Sequence, residues 1–234
     1  MLKVTHLNKS YEQGKKVFES VSFSLPAGSF VSLTGKNGIG KTTLLNILAG
    51  ITSFEGEFVF ADICLQTSSD QYDQCMEKYI EKTAYIPNDP FLYPYLTLSE
   101  MVELLLTVSG RKQPPTYLQN LLEELALTEY EHVLIKNMSL GTQQKVAIVT
   151  AYLDEPQLIL MDEPFVNFDQ KSLKVVLRFI RDYLLQKQAI TIFSTHSQDH
   201  RIQQVITHNL HIKDARTITV TEIRKDRDVR DVFV

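Results

Sequence analysis

Gly35-Lys36-Asn37-Gly38-Ile39-Gly40-Lys41-Thr42 is the stretch on which the fold turns. Its spacing, G-x-x-x-x-G-K-T, is that of a phosphate-binding loop. Before it, Phe30-Val31-Ser32-Leu33 is short, apolar and suited to a buried strand. After it, Thr43-Leu44-Leu45-Asn46-Ile47-Leu48-Ala49-Gly50 sets Leu44, Ile47 and Leu48 at helical spacing ahead of a glycine stop. Strand, loop and helix in that order are the setting the motif requires. Successive N–H groups of such a loop curl round an anion, and the helix points its positive end at the same spot. Lys41 then sets a point charge against the β- and γ-phosphates, and the Thr42 hydroxyl is a ligand for Mg²⁺. An accidental glycine loop would need four fixed positions to coincide, about one chain of this size in a hundred.

Outward from the loop, Leu2 to Leu7 and Val17 to Leu25 read as strands, and Pro26-Ala27-Gly28 as a turn. Downstream, Gly56 to Phe60 and Thr83 to Ile86 read as strands. Between them Thr67 to Lys82 is polar, with Tyr72, Met76, Tyr79 and Ile80 permitting a short helix. Thr97-Leu98-Ser99-Glu100 is a capping box for a helix that Gly110 closes, and Thr116-Tyr117-Leu118-Gln119 opens a second through Leu125. A third is expected from Ser139 to Leu153. Roughly residues 88–145 thus form a helical insertion. Leu158 to Asp162 and Ala189 to Phe193 are buried-strand runs on either side of an amphipathic helix marked by Leu173, Val176, Leu177, Ile180 and Leu184. Two strand-like runs follow, around Val205 to Ile212 and Thr217 to Ile223, and Arg224 to Asp231 reads as a solvated end. Alternating buried strands and helices predict a largely parallel sheet covered on both faces.

The bulk numbers suit one large globular domain: 234 residues, 44% hydrophobic and 22% charged. A net charge of −4 gives no general attraction to nucleic acid or anionic lipid. Cys64 and Cys75 form neither a metal spacing nor a disulfide framework and read as reduced thiols of a cytosolic protein. The first residues lack the apolar core of a signal peptide, and no run reaches the ~20 apolar residues of a membrane span. Work at a membrane would need a second chain to supply the span.

Asp162 and Glu163 follow four apolar strand residues, and ionised carboxylates there need a partner. In a phosphate-loop protein that partner is Mg²⁺, reached by Asp162 directly or through water. Glu163 is then free to orient or deprotonate a water attacking the γ-phosphate. His196 ends the next buried strand, where ligand sites of parallel sheets gather, and a γ-phosphate contact there would stabilise developing charge. His200, His208 and His211 read as structural. Ser139-Leu140-Gly141-Thr142 is a serine-capped helix start, a weak anion-site pattern by itself.

These pieces, in this order and over essentially the whole chain, resemble the ATP-binding-cassette (ABC) ATPases. Leu158 to Glu163 is similar to the family's strand with Asp and catalytic Glu, and Met138-Ser139-Leu140-Gly141-Thr142-Gln143-Gln144-Lys145 to its signature segment. Val166-Asn167-Phe168-Asp169 corresponds to the D-loop and His196 to the switch histidine. The resemblance implies an α/β fold: a P-loop NTPase core with a mostly parallel sheet, an N-terminal antiparallel β subdomain (about 1–30 and 52–87) and an inserted helical subdomain (about 88–145). It implies ATP and Mg²⁺ at Gly35 to Thr43, with Tyr11 stacking on adenine. It also implies a second cassette, in a homodimer or heterodimer, whose nucleotide Ser139 and Gly141 serve. Two departures stand out. Leu140 and Thr142 replace the usual glycine and glutamine of the signature, and Asn88 replaces a glutamine that reaches Mg²⁺ or the attacking water.

The function expected is ATP binding and hydrolysis driving a cassette dimer that powers a separate transmembrane permease. The chain would sit in the cytoplasm, on the inner face of the membrane. Asn88 and the run Pro90-Phe91-Leu92-Tyr93-Pro94-Tyr95 lean the reading towards export, with Phe91, Leu92, Tyr93 and Tyr95 as permease contacts. The alternatives are a cassette ATPase serving soluble machinery such as cofactor assembly, and a non-hydrolysing nucleotide-binding regulatory module. The acidic balance disfavours a nucleic-acid partner.

Overall fold

The computed structural model describes residues 1–11, 14–197 and 199–223. The solvated end expected over Arg224 to Asp231 lies outside them. The strands are β1 (Leu2–Ser10), β2 (Lys16–Leu25), β3 (Phe30–Gly35), β4 (Glu55–Phe60), β5 (Ile63–Gln66), β6 (Thr83–Ile86), β7 (Leu158–Asp162), β8 (Ile190–Ser194), β9 (His208–Asp214) and β10 (Thr217–Glu222). The helices are α1 (Lys41–Leu48), α2 (Tyr72–Ile80), α3 (Leu98–Val108), α4 (Thr116–Glu124), α5 (Leu140–Ala151), α6 (Gln170–Lys187) and α7 (His200–Val205). No helix among the described residues is long and apolar enough to cross a membrane.

Six strands form one sheet in the order β10-β9-β3-β8-β7-β6, parallel except for the β9–β10 hairpin. The other four form an antiparallel sheet, β2-β1-β4-β5. Alternation along the central strands sends side chains to two different cores. From β7, Leu158 and Leu160 pack with α1 and the antiparallel sheet, while Ile159 and Met161 pack with α5 and α6. Val31 and Leu33 likewise part company with Phe30 on β3, and Ile190 and Ile192 with Phe193 on β8. Both faces of the parallel sheet are therefore dry, which is why its strands read as continuous apolar runs.

Four expectations need correction. Val205 to Ile212 is not one strand: Asp199 caps the short helix α7, and β9 starts only at His208. Thr116 caps nothing. Pro115 holds the N-cap place of α4 without a side-chain bond, and the helix ends at Glu124. Thr97, by contrast, makes both bonds of its capping box with Glu100. Strand β5 was not anticipated, because Ile63 to Gln66 is short and alternates only twice as the outer partner of β4. Strand β1 runs on to Ser10, past the expected end at Leu7, through register shifts against β2.

Candidate active site

Parallel pairing carries the ends of β3, β8, β7 and β6 to one edge of the sheet. The phosphate loop bridges β3 and α1, with Gly35, Gly38 and Gly40 at φ +148°, +73° and +117°. A Cβ on Gly35 would lie 2.8 Å from the Ile212 carbonyl oxygen, and one on Gly40 2.8 Å from Val17 Cγ1. Nothing lies within 4 Å of the corresponding point on Gly38. Within the loop, the Ile39 N–H donates to Lys36 O at 3.2 Å. The Lys41 ammonium is buried against the loop it belongs to, donating to Gly35 O at 3.1 Å and Lys36 O at 3.3 Å. Asn37 lies in the turn of the loop.

Thr42, one residue into α1, donates its hydroxyl to Asp162 Oδ2 at 2.7 Å. Asp162 is 7% exposed at the end of β7, in register with Ser194 on β8. The Ser194 hydroxyl, fully buried, donates to Asp162 Oδ1 and accepts the Glu163 N–H at 3.0 Å. Glu163 itself adopts a left-handed backbone, φ +51°. That turn leaves its Oε1 buried and without a hydrogen bond, 3.5 Å from His196 Nε2. The half-buried Tyr85 phenol on β6 is pushed up to about 12 by burial, with the Asp162 carboxylate adding to the shift.

Tyr11 comes to the same helix from β1. Its phenol lies 3.4 Å from Thr43 Oγ1, and the Lys9 ammonium sits 5.1 Å from its ring centroid. Asn88 stands two residues past Ile86, which pairs with Met161, so it belongs to the same sheet edge; its side chain is exposed. Ser139 and Gly141 are placed elsewhere. Ser139 caps α5, accepting the Thr142 N–H at 3.2 Å, and the Gly141 Cα packs so closely that a Cβ would lie 2.6 Å from Asn167 O. No bond from either reaches Gly35 to Thr42 among the described residues. Sequence reasoning missed Ser194. Its only signal was a hydroxyl at the end of an apolar strand, two residues before His196.

A family model described as ABC transporter matches residues 18–166. The chain belongs to the ABC transporter family. A Staphylococcus haemolyticus protein named as a hemin import ATP-binding protein, HrtA, is 31% identical over 92% of this chain and 98% of its own length. The protein of that name from Staphylococcus aureus strain Newman is 30% identical over the same shares. These names say import, the reverse of the export lean. Among solved structures, a dimeric ATP-binding cassette in a post-hydrolysis state with ADP and Pi superposes with a TM-score of 0.81 at 25% identity. It covers 96% of this chain and 100% of its own. The chain is thus an ATP-binding cassette ATPase of the transport type.

Proposed function

We propose that this chain binds ATP with Mg²⁺ at Gly35 to Thr43, hydrolyses it as half of a cassette dimer, and drives a separate transmembrane permease from the cytoplasmic face. One observation carries the reading. The Thr42–Asp162 pair and the Glu163–His196 pair converge on the edge of the sheet where the phosphate loop opens.

The loop N–H groups and the positive end of α1 hold the phosphates. Lys41, already held at the loop by Gly35 O and Lys36 O, exchanges those bonds for charge-assisted ones to phosphate oxygens. The adjacent hydroxyl of Thr42 and carboxylate of Asp162 are hard oxygen donors. They fit Mg²⁺, which takes one or two protein oxygens and completes its shell with phosphate and water. When bound, Mg²⁺ neutralises charge on the β- and γ-phosphate oxygens. Glu163 presents a carboxylate oxygen that no protein donor uses, so it is free to accept a proton from the attacking water. His196 Nε2 stands 3.5 Å from that same oxygen, without a hydrogen bond to it, and is the group at hand for a γ-phosphate contact. Asn88, at the same edge, orients the water or a Mg²⁺ ligand through its amide. Tyr11 offers a ring for adenine, with its hydroxyl tethered near Thr43.

A groove of about 450 Å³ lined by β6, α3 and α5 is the proposed permease seat. Phe91 lines its mouth at 78% exposure, and Tyr95 nearby is 73% exposed. Leu92, by contrast, packs on the α5–α6 core as well as lining the groove. Ser139 and Gly141, which make no bond to Gly35 to Thr42 among the described residues, serve the nucleotide of a second cassette.

Glu163→Gln tests the assignment. Phosphate release is expected to fall by about a hundredfold or more while ATP titrates as in the parent. Turnover near the parental rate would remove Glu163 from the role of base.

A further inference from the structure

We propose that Ser194 is a positioning residue for this reaction: one buried hydroxyl sets both the metal-facing carboxylate and the catalytic glutamate. The inference rests on the ATPase reading above and adds to it a residue that no sequence motif marks.

Ser194 ends β8 with 0% exposure, directly opposite Asp162 in the parallel register. Its hydroxyl does two things at once. As donor it engages Asp162 Oδ1, and as acceptor it takes the Glu163 N–H at 3.0 Å. The first bond occupies one carboxylate oxygen and leaves Oδ2 turned to Thr42 beside the phosphate loop. Asp162 is thereby presented through a single, defined oxygen. When the Thr42 hydroxyl exchanges its bond to Asp162 for a ligand, the Ser194 bond still orients the carboxylate.

The second bond acts on the backbone. Glu163 sits at φ +51°, a region that side chains other than glycine rarely adopt and that persists only where the surroundings enforce it. Its N–H is anchored to Ser194 Oγ at the point where β7 would otherwise run straight on. The left-handed turn brings the Glu163 carboxylate to His196, two residues beyond Ser194 on the same chain. A strand residue without a hydroxyl at 194 would leave Asp162 Oδ1 and the Glu163 N–H unpaired in a dry site. Partners that orient a metal-facing ligand are typically worth about ten- to a hundredfold in metal affinity or activity.

The test compares the parent with Ser194→Ala, Ser194→Thr and Ser194→Cys. Each full chain is titrated with a fluorescent ATP analogue in EDTA and again across a Mg²⁺ series, beside turnover and thermal melting. In Ser194→Ala, affinity in EDTA is expected to match the parent, half-saturation by Mg²⁺ to rise about tenfold, and kcat to fall ten- to a hundredfold. Ser194→Thr, which keeps the hydroxyl, is expected to recover parental values. Ser194→Cys, close in volume with a weakly donating thiol, is expected to show the same Mg²⁺-specific loss in smaller measure, and carries the test where the alanine variant does not fold. A folded alanine variant with parental Mg²⁺ half-saturation and kcat overturns the proposal. So does an equal loss of affinity with and without Mg²⁺, the mark of a merely structural role. A parent that shows no Mg²⁺-dependent nucleotide binding would overturn the ATPase reading instead.

Discussion

At the scale of single residues, the phosphate loop separates two reasons for being glycine. Gly35 and Gly40 are the fixed glycines of the motif, and both lack room for a Cβ, one against the Ile212 backbone and one against Val17 and Phe18. Gly38 occupies a variable place, has open space, and differs from an ordinary residue only in its φ of +73°. Gly35→Ala and Gly40→Ala are therefore expected to cut ATP affinity at least tenfold, with a stability loss of about 1–3 kcal/mol. Gly38→Ala should cost about 1 kcal/mol of stability, the left-handed penalty alone. Nucleotide titration and denaturant melts of the three variants check this ranking. If Gly38→Ala proved the worst of them, the steric account of the loop would be wrong. The motif spacing was enough to read these two glycines, because the spacing is itself a record of where the backbone is crowded. Ser194 was illegible for the opposite reason. A serine among Ile190, Thr191, Ile192 and Phe193 looks like strand filler, and only its register against Asp162 gives it work.

At the scale of elements, helix starts show how far local pattern reaches. Thr97 and Thr116 both stand three residues before Glu or Gln, yet only Thr97 caps. Pro115, at φ −55° and ψ 142°, takes the cap place and pushes Thr116 into the first turn, so the proline pair outranks the box. Helix α6 starts on Asp169. Asp169 accepts the Ser172 N–H at 2.8 Å and the Ser172 hydroxyl at 2.6 Å, and pairs with Lys145 of α5 at 3.1 Å. The two Ser172 bonds first, and then Lys145, hold its carboxyl well below the usual range. A depressed folded-state pKa stabilises the fold above the unfolded value, and that contribution is lost as pH falls through the folded one. Asp169→Ala is accordingly expected to destabilise by about 1 kcal/mol at neutral pH. The gap to the parent should narrow only below about pH 4, where the unfolded carboxyl begins to protonate. Melts across pH 7 to 2.5 would show it, and a gap that stayed constant would assign the loss to packing instead of charge.

At the scale of the whole molecule, the central sheet was legible because both of its faces are dry, so apolar runs and strands coincide. The hairpin partner β5 and the short helix α7 were not, since four residues of strand and six of helix are too short to show a period. Where the two proposed halves of the site lie in this chain is likewise set by tertiary packing. The signature start at Ser139 packs through Gly141 on the Asn167 carbonyl, while the phosphate loop lies against Asp162, and no bond joins the two within the described chain. The proposal that a second copy completes the site makes a sharp complementation prediction. Lys41→Ala removes the charge at the phosphates, and Ser139→Arg blocks the signature start, so either variant alone should be nearly inactive. In a mixed dimer the Ser139→Arg copy contributes an intact loop, and the Lys41→Ala copy contributes an intact signature to that same loop. Mixing them equally is expected to restore about a quarter of parental turnover, because half the dimers are mixed and each then holds one good site of two. Phosphate release at several mixing ratios would follow the product of the two fractions. Activity that never exceeded the sum of the separate variants would mean that each chain completes its own site.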